Sequence, residues 1–259
     1  MMKKLLEKSI DEYFEKFKND PNTVAIVITG SYGRGENDFL SDIDWVLIVD
    51  NKKDSVSGFK EQYNNIEFDC RIEEYEFLEN TGWCMDQYYA YLNCKIYYDK
   101  ELKFKQMQDI QKKEWYKYIK KFVAIRLVEC SVFLKFPDTI PELKVKQTHY
   151  EKFVLRNDYY SAYNCLNIIE NQLIDLCYIS NAIPIPDTKN KMRNIHKYSF
   201  SDLLKSCCNR SNEKTIDELN ETYDNFKKIL NAIIKIVKNN YNYKNGIKIY
   251  YYKYRGVVR

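Results

Sequence analysis

Apolar residues recur at helical spacing from the first residues of the chain. Leu5, Ile10, Phe14 and Phe17 share one face of Met2–Asn19, which predicts an amphipathic helix. The stretch NDPN at 19–22 ends it. The period then shortens. TVAIVIT (23–29) and IDWVLIVD (43–50) are β-branched apolar runs that fit buried strands. IEFDCRI (66–72) alternates, with Ile66, Phe68, Cys70 and Ile72 on one face and Glu67, Asp69 and Arg71 on the other. NKKDSVSG (51–58) reads as a polar loop, EEYEFLEN (73–80) as the start of a helix and KIYYDK (95–100) as a last strand.

After about Leu102 the pattern becomes helical over long stretches. Helices are predicted over 105–136, 148–181 and 213–239, with a short one near Ser201–Cys208. PDTIPE and IPIPDTKNK separate them, and GIKIYYYKYR near the end is a candidate strand. Strands first and helices afterwards predict an α+β chain, with a domain boundary near residue 104. The domains expected are therefore 1–104 and 105–259.

Composition narrows the partners. The 259 residues are 45% hydrophobic, enough for a sizeable core, and the formal net charge is only +4. A protein that tracks a nucleic-acid backbone needs a basic stripe, so nucleic acid is not an expected partner. Eight cysteines without a CxxC pair, and only two histidines (His149 and His196), argue against a structural zinc site. Most of the cysteines sit in apolar runs, which suits reduced thiols and a cytoplasmic location. The N-terminal residues lack the apolar stretch of a signal peptide, and no apolar run is long enough to span a bilayer.

The chemistry concentrates in ITGSYGRGENDFLSDIDWVLIVD (28–50). Three of the seven glycines, Gly30, Gly33 and Gly35, lie in this one turn. Gly30 lets the strand turn sharply, and Ser31 falls at a helix N-terminus, where free amides and the dipole favour anions. Arg34 adds a planar charge suited to phosphate oxygens. Asp42 and Asp44 are two apart on a strand and point the same way. Two such carboxylates repel unless a cation lies between them, and Mg²⁺ takes oxygen ligands of this kind together with substrate phosphates. A third carboxylate on a neighbouring strand would complete a two-metal site for displacement at phosphorus; Glu67 and Asp69 both qualify by face. Taken singly, GSYGRG is a plain turn and SDID a cap with solvated acids. The spacing fits neither GxGxxG nor GxxxxGK[ST], so dinucleotide-fold and P-loop readings fail.

GS, then about ten residues, then Asp-x-Asp, then an acid-bearing strand: this constellation resembles the nucleotidyltransferase superfamily with the polymerase-β-like palm. The resemblance implies a small mixed-sheet palm followed by a helical bundle that binds the acceptor. It implies that Gly30 and Ser31 hold a nucleoside triphosphate such as ATP, and that Asp42, Asp44 and one of Glu67 or Asp69 bind Mg²⁺. A small-molecule hydroxyl would attack the α-phosphorus and pyrophosphate would leave. By size and layout the chain is most like the aminoglycoside and lincosamide adenylyltransferases, which implies a role in antibiotic resistance. In those enzymes a carboxylate of the helical domain often serves as general base; Glu129 in AIRLVECSVF is the first candidate here, and Asp158 the second. Both have plain alternatives, pairing with Arg126 and local capping. The competing functions are a protein AMP-transferring enzyme, a signal-nucleotide synthase, and a degenerate module that only binds nucleotide; intact Asp42 and Asp44 argue against the last. The sequence is compatible with a homodimer and does not select an oligomeric state.

Overall fold

The helix predicted at the N-terminus sets the first layer. The computed structural model of the protein describes residues 2–37, 41–53, 57–137, 143, 145–186, 191–192, 195 and 215–241, with only the backbone described for 2–5. Helix α1 spans Met2–Lys18. Strands β1 (Thr23–Ile28) and β2 (Ile43–Val49) follow the NDPN break and the glycine turn. Between them a single turn of helix, α2, covers Gly30–Gly33. Strands β3 (Gly58–Tyr63), β4 (Ile66–Glu74) and β5 (Lys95–Asp99) complete a five-stranded sheet of order β3-β4-β2-β1-β5. The sheet is mixed: β2 runs parallel to β4, and the other neighbouring pairs are antiparallel.

The two-residue period of β2 decides what each face does. Ile43, Trp45, Leu47 and Val49 enter a core with Ile10, Tyr13 and Phe14 of α1, and Phe68 and Cys70 of β4 join them. Tyr13 stacks on Phe68, and its hydroxyl donates to Glu61 on β3 at 3.0 Å. Burial, then the Glu61 carboxylate, pushes that phenol well above its ordinary value. The alternate residues of the same strands, Asp44 on β2 and Glu67, Asp69 and Arg71 on β4, are thereby sent to the opposite face. Packing α1 on one face thus fixes where the acids emerge.

Two elements of this part were not expected. Strand β3 reads FKEQY after Gly58, too polar to signal a buried strand; as an edge strand it needs only one apolar face. Helix α4 (Met85–Leu92) is tyrosine-rich, follows helix α3 (Tyr75–Asn80) and buries Tyr88, Tyr89 and Tyr91. Its start is held by a capping box in which the Cys84 amide donates to Gln87 Oε1 at 2.9 Å.

The chain divides into two compact units, Met1–Trp115 and Tyr116–Arg259. The division falls inside helix α5 (Lys103–Ser131). In the second unit, α6 (His149–Leu155), α7 (Tyr159–Ser180) and α8 (Ile216–Tyr241) follow. The single helix expected over 148–181 is in fact two. Asn157 takes a left-handed φ of 54°, and Asp158 caps α7 by accepting from the Ser161 amide at 3.0 Å. Helix α8 buries Leu219, Phe226, Leu230, Ile233 and Val237 along one stripe. Its end is tied to the end of α7, where the Tyr241 hydroxyl donates to the Ile179 carbonyl at 2.6 Å and the Asn240 amide to the Ser180 carbonyl at 2.9 Å. These bonds satisfy carbonyls that a helix end leaves open. The short helix near Ser201–Cys208, the tail strand and His196 lie outside the described residues. Among the described residues no helix is long and apolar enough to cross a membrane.

Candidate active site

The parallel pairing of β2 with β4 builds the site. Its register sets Asp44 opposite Asp69, so two acids on neighbouring strands share one face. Asp42, just before β2, joins them. One ligand oxygen from each of Asp42, Asp44 and Asp69 lies within 4.8 Å of the other two, and all three residues are half-buried. Among the described residues this is the one such grouping of three acid, cysteine or histidine side chains. Glu67 shares the face of Asp69 but stands outside the group, on the far side of Lys60. Of the two acids the sequence left open, the geometry brings Asp69 to the pair.

The glycine turn closes against the same acids. Gly30 has a left-handed φ of 58°, and a Cβ there would overlap the Asp44 carboxylate. The glycine is thus required twice, by conformation and by contact. The Thr29 amide donates to the Asp44 carbonyl at 2.8 Å, which fixes the end of β1 to the start of β2. Ser31 stands at the start of α2, whose first amides have no acceptor within the helix. The Gly33 amide bonds the Thr29 carbonyl at 2.8 Å and the Glu36 amide bonds the Ser31 carbonyl at 2.8 Å, which makes the turn compact.

Arg34 is engaged by the protein itself. Its Nε donates to Glu36 Oε2 at 2.9 Å, and its guanidinium lies 4.9 Å from the centre of the Tyr89 ring. One of its donors, Nη2, is buried without a hydrogen-bond partner. Lys60, on β3, is the residue that the sequence reading missed. Its ammonium lies 2.7 Å from Asp69 Oδ2 and 3.3 Å from Glu67 Oε1. Those carboxylates, Asp69 first, hold it above its ordinary lysine value. The signal that could have found it is register: once β3 pairs with β4, Lys60 stands directly opposite Asp69. An open cleft of about 520 Å³ adjoins Asp69, with Lys52, Lys60, Arg71 and Glu73 in its walls.

The candidate bases belong to the second unit. Glu129 accepts from Arg126 at 2.8 Å, and the same guanidinium reaches the buried Asp175 at 3.4 Å. Asp158 is the cap of α7, and the Ser161 bonds hold its carboxyl below the ordinary aspartate value. Among the described residues, no cysteine belongs to the acid group. Burial pushes the Cys70, Cys94 and Cys165 thiols up to about 12, where the reactive thiolate is scarce.

The three carboxylates suit a divalent ion. They offer hard oxygen donors close enough to share a cation, and a lysine ammonium already stands in for one at Asp69. A side chain at position 30 would take the place of the Asp44 carboxylate, so the glycine leaves that carboxylate room.

With this geometry in view, the family comparison supplies the class. The family model described as nucleotidyltransferase domain matches residues 10–155, more than half of the chain, and the protein belongs to that family. Its reaction class is therefore the transfer of a nucleotidyl group from a nucleoside triphosphate. Among solved structures, a nucleotidyltransferase-like protein from Exiguobacterium sibiricum is similar over 90% of this chain and 77% of that one, at 11% identity and a TM-score of 0.47. No curated protein matches the chain.

Proposed function

We propose that the protein is a Mg²⁺-dependent adenylyltransferase that moves AMP from ATP to a hydroxyl of a small molecule, with pyrophosphate as the other product. The observation that carries this reading is the meeting of Asp42, Asp44 and Asp69 beside Gly30. Asp42, Asp44 and Asp69 would hold the divalent ion, which when bound neutralises phosphate charge and the charge that develops in displacement at phosphorus. The remaining work belongs to the chain. Gly30 allows the turn to lie against Asp44, and the first amides of α2, with the Ser31 hydroxyl, offer donors to the triphosphate. Arg34 keeps the turn in shape through Glu36 and Tyr89.

For the acceptor, an aminoglycoside or lincosamide is the reading favoured by the chain's size and layout and by its slight net charge, which disfavours a nucleic-acid acceptor. Free cysteines among the described residues suit a reducing, cytoplasmic setting. Glu129 is the proposed base. Asp158 is already engaged as the cap of α7, which leaves Glu129, within the apolar stretch AIRLVECSVF, as the first candidate. The test is incubation with each nucleoside triphosphate, Mg²⁺ and a panel of aminoglycosides and lincosamides, with pyrophosphate as the readout. Release that needs ATP and one antibiotic supports the reading. Release only with a protein acceptor or with no acceptor overturns the small-molecule part. Glu129→Gln should lower turnover by about 10²–10⁴-fold with nucleotide affinity retained, the range for loss of a general base.

A further inference from the structure

Lys60 has a place in the site that the reaction class does not assign. It sits on the edge strand, directly across from Asp69, and its ammonium bridges Asp69 at 2.7 Å and Glu67 at 3.3 Å. Asp69 is also one of the three acids that crowd together. A divalent ion on those acids and an ammonium on the Asp69 carboxylate compete for that carboxylate and repel each other. The lysine has somewhere to go. Glu67 is already within reach, stays outside the acid group, and the Lys60 side chain is 61% exposed, so its movement meets little resistance. A lysine suits such an exchange because its charge is compact and rides on a flexible stem, whereas an arginine would hold a carboxylate in a fixed fork.

We infer that Lys60 is a resident counter-cation: it neutralises Asp69 while the acid group lacks a divalent ion, and it passes to Glu67 when that ion binds. The inference rests on the acid group being the cation site of the proposed function. It makes Glu67, which qualifies as a metal ligand by face alone, the holder of the displaced lysine. Lys60 is then a positioning residue that sets how tightly the site takes its metal.

The test is Mn²⁺ binding to the full-length protein without nucleotide, read by electron paramagnetic resonance of the free ion. The variants are Lys60→Met, Glu67→Gln, the double variant, and Asp44→Asn as control. Lys60→Met should bind Mn²⁺ about 1.5- to 5-fold more tightly, the span expected when one exposed ion pair no longer competes. Glu67→Gln should weaken binding by a similar factor, because the lysine loses its second partner. In the Lys60→Met background the Glu67 substitution should have no effect. Affinity unchanged or weakened in Lys60→Met overturns the inference. So does a Glu67→Gln loss of equal size in both backgrounds, since that makes Glu67 a direct ligand. If wild type binds Mn²⁺ no better than Asp44→Asn, the cation site itself fails, and this inference with it.

Discussion

The two units of the chain handle charge in opposite ways. In the first, three carboxylates of like sign are pressed together on one face of a sheet, and a lysine meets the outermost of them. In the second, charges inside the helices are matched. Asp175 is 7% exposed and is met by Lys191 at 2.7 Å and Arg126 at 3.4 Å, and Arg126 also holds Glu129. Crowded like charges cost stability and persist where something external compensates them, so they point to a site. Paired unlike charges satisfy one another and need no ligand to explain them. The same residue type, aspartate, therefore signals function in one unit and structure in the other.

The sharpest way to break that contrast is Asp44→Asn. Nucleotidyl transfer should fall by about 10²–10⁴-fold, the equivalent of several kcal/mol of lost charge stabilisation at phosphorus. Thermal unfolding without metal should stay level or rise slightly, because one like charge has gone. Turnover within tenfold of wild type would end the assignment of the acid group. The mirror experiment is Asp175→Ala, which leaves Arg126 and Lys191 facing an empty buried position. Denaturant unfolding should show a loss of about 3–5 kcal/mol, the usual cost of removing one partner from a buried pair. A neutral result would mean that the second unit does not depend on its matched charges.

Gly30→Ala probes where the turn meets the acids. A left-handed alanine costs about 1–2 kcal/mol, and its methyl would displace the Asp44 carboxylate. Stability and divalent-ion affinity should fall together, by unfolding and by metal titration. An alanine variant with normal metal affinity would show that Asp44 does not need the space. The smallest effect is at Asp158, whose folded carboxyl lies below its ordinary value because of the Ser161 bonds. A depressed carboxylate contributes stability above the unfolded value, near 3.8, and loses it as pH falls through the folded value. Asparagine caps comparably but does not titrate in this range. The stability difference between wild type and Asp158→Asn should be constant from neutral pH to about 5 and shift against wild type below 4. A difference that does not change with pH would remove the carboxylate from the cap's energetics.

What the sequence determined by itself was whatever local chemistry could encode. The α+β order, the buried strands β1 and β2, the glycine turn and the Asp-x-Asp pair follow from side-chain period and from residue types with few alternative uses. Gly30 was legible because few residues tolerate a left-handed turn, although its contact with Asp44 was not. The break between α6 and α7 hid in Arg-Asn-Asp, where the cap works only because Asn157 turns left-handed first. Pairing between strands decided the rest. Strand β3 carries too few apolar residues to announce itself, and it exists because β4 offers an open edge. Which of Glu67 and Asp69 would lie beside Asp44 could not be read from one strand, whose two-residue period puts both acids on one face. The parallel register with β2 placed Asp69 beside Asp44. Lys60 entered the site by the same rule, since only the antiparallel register of β3 on β4 sets it across from Asp69. Sequence carries the period of a strand, but its register depends on a partner many residues away, and in this protein register chose which charges meet.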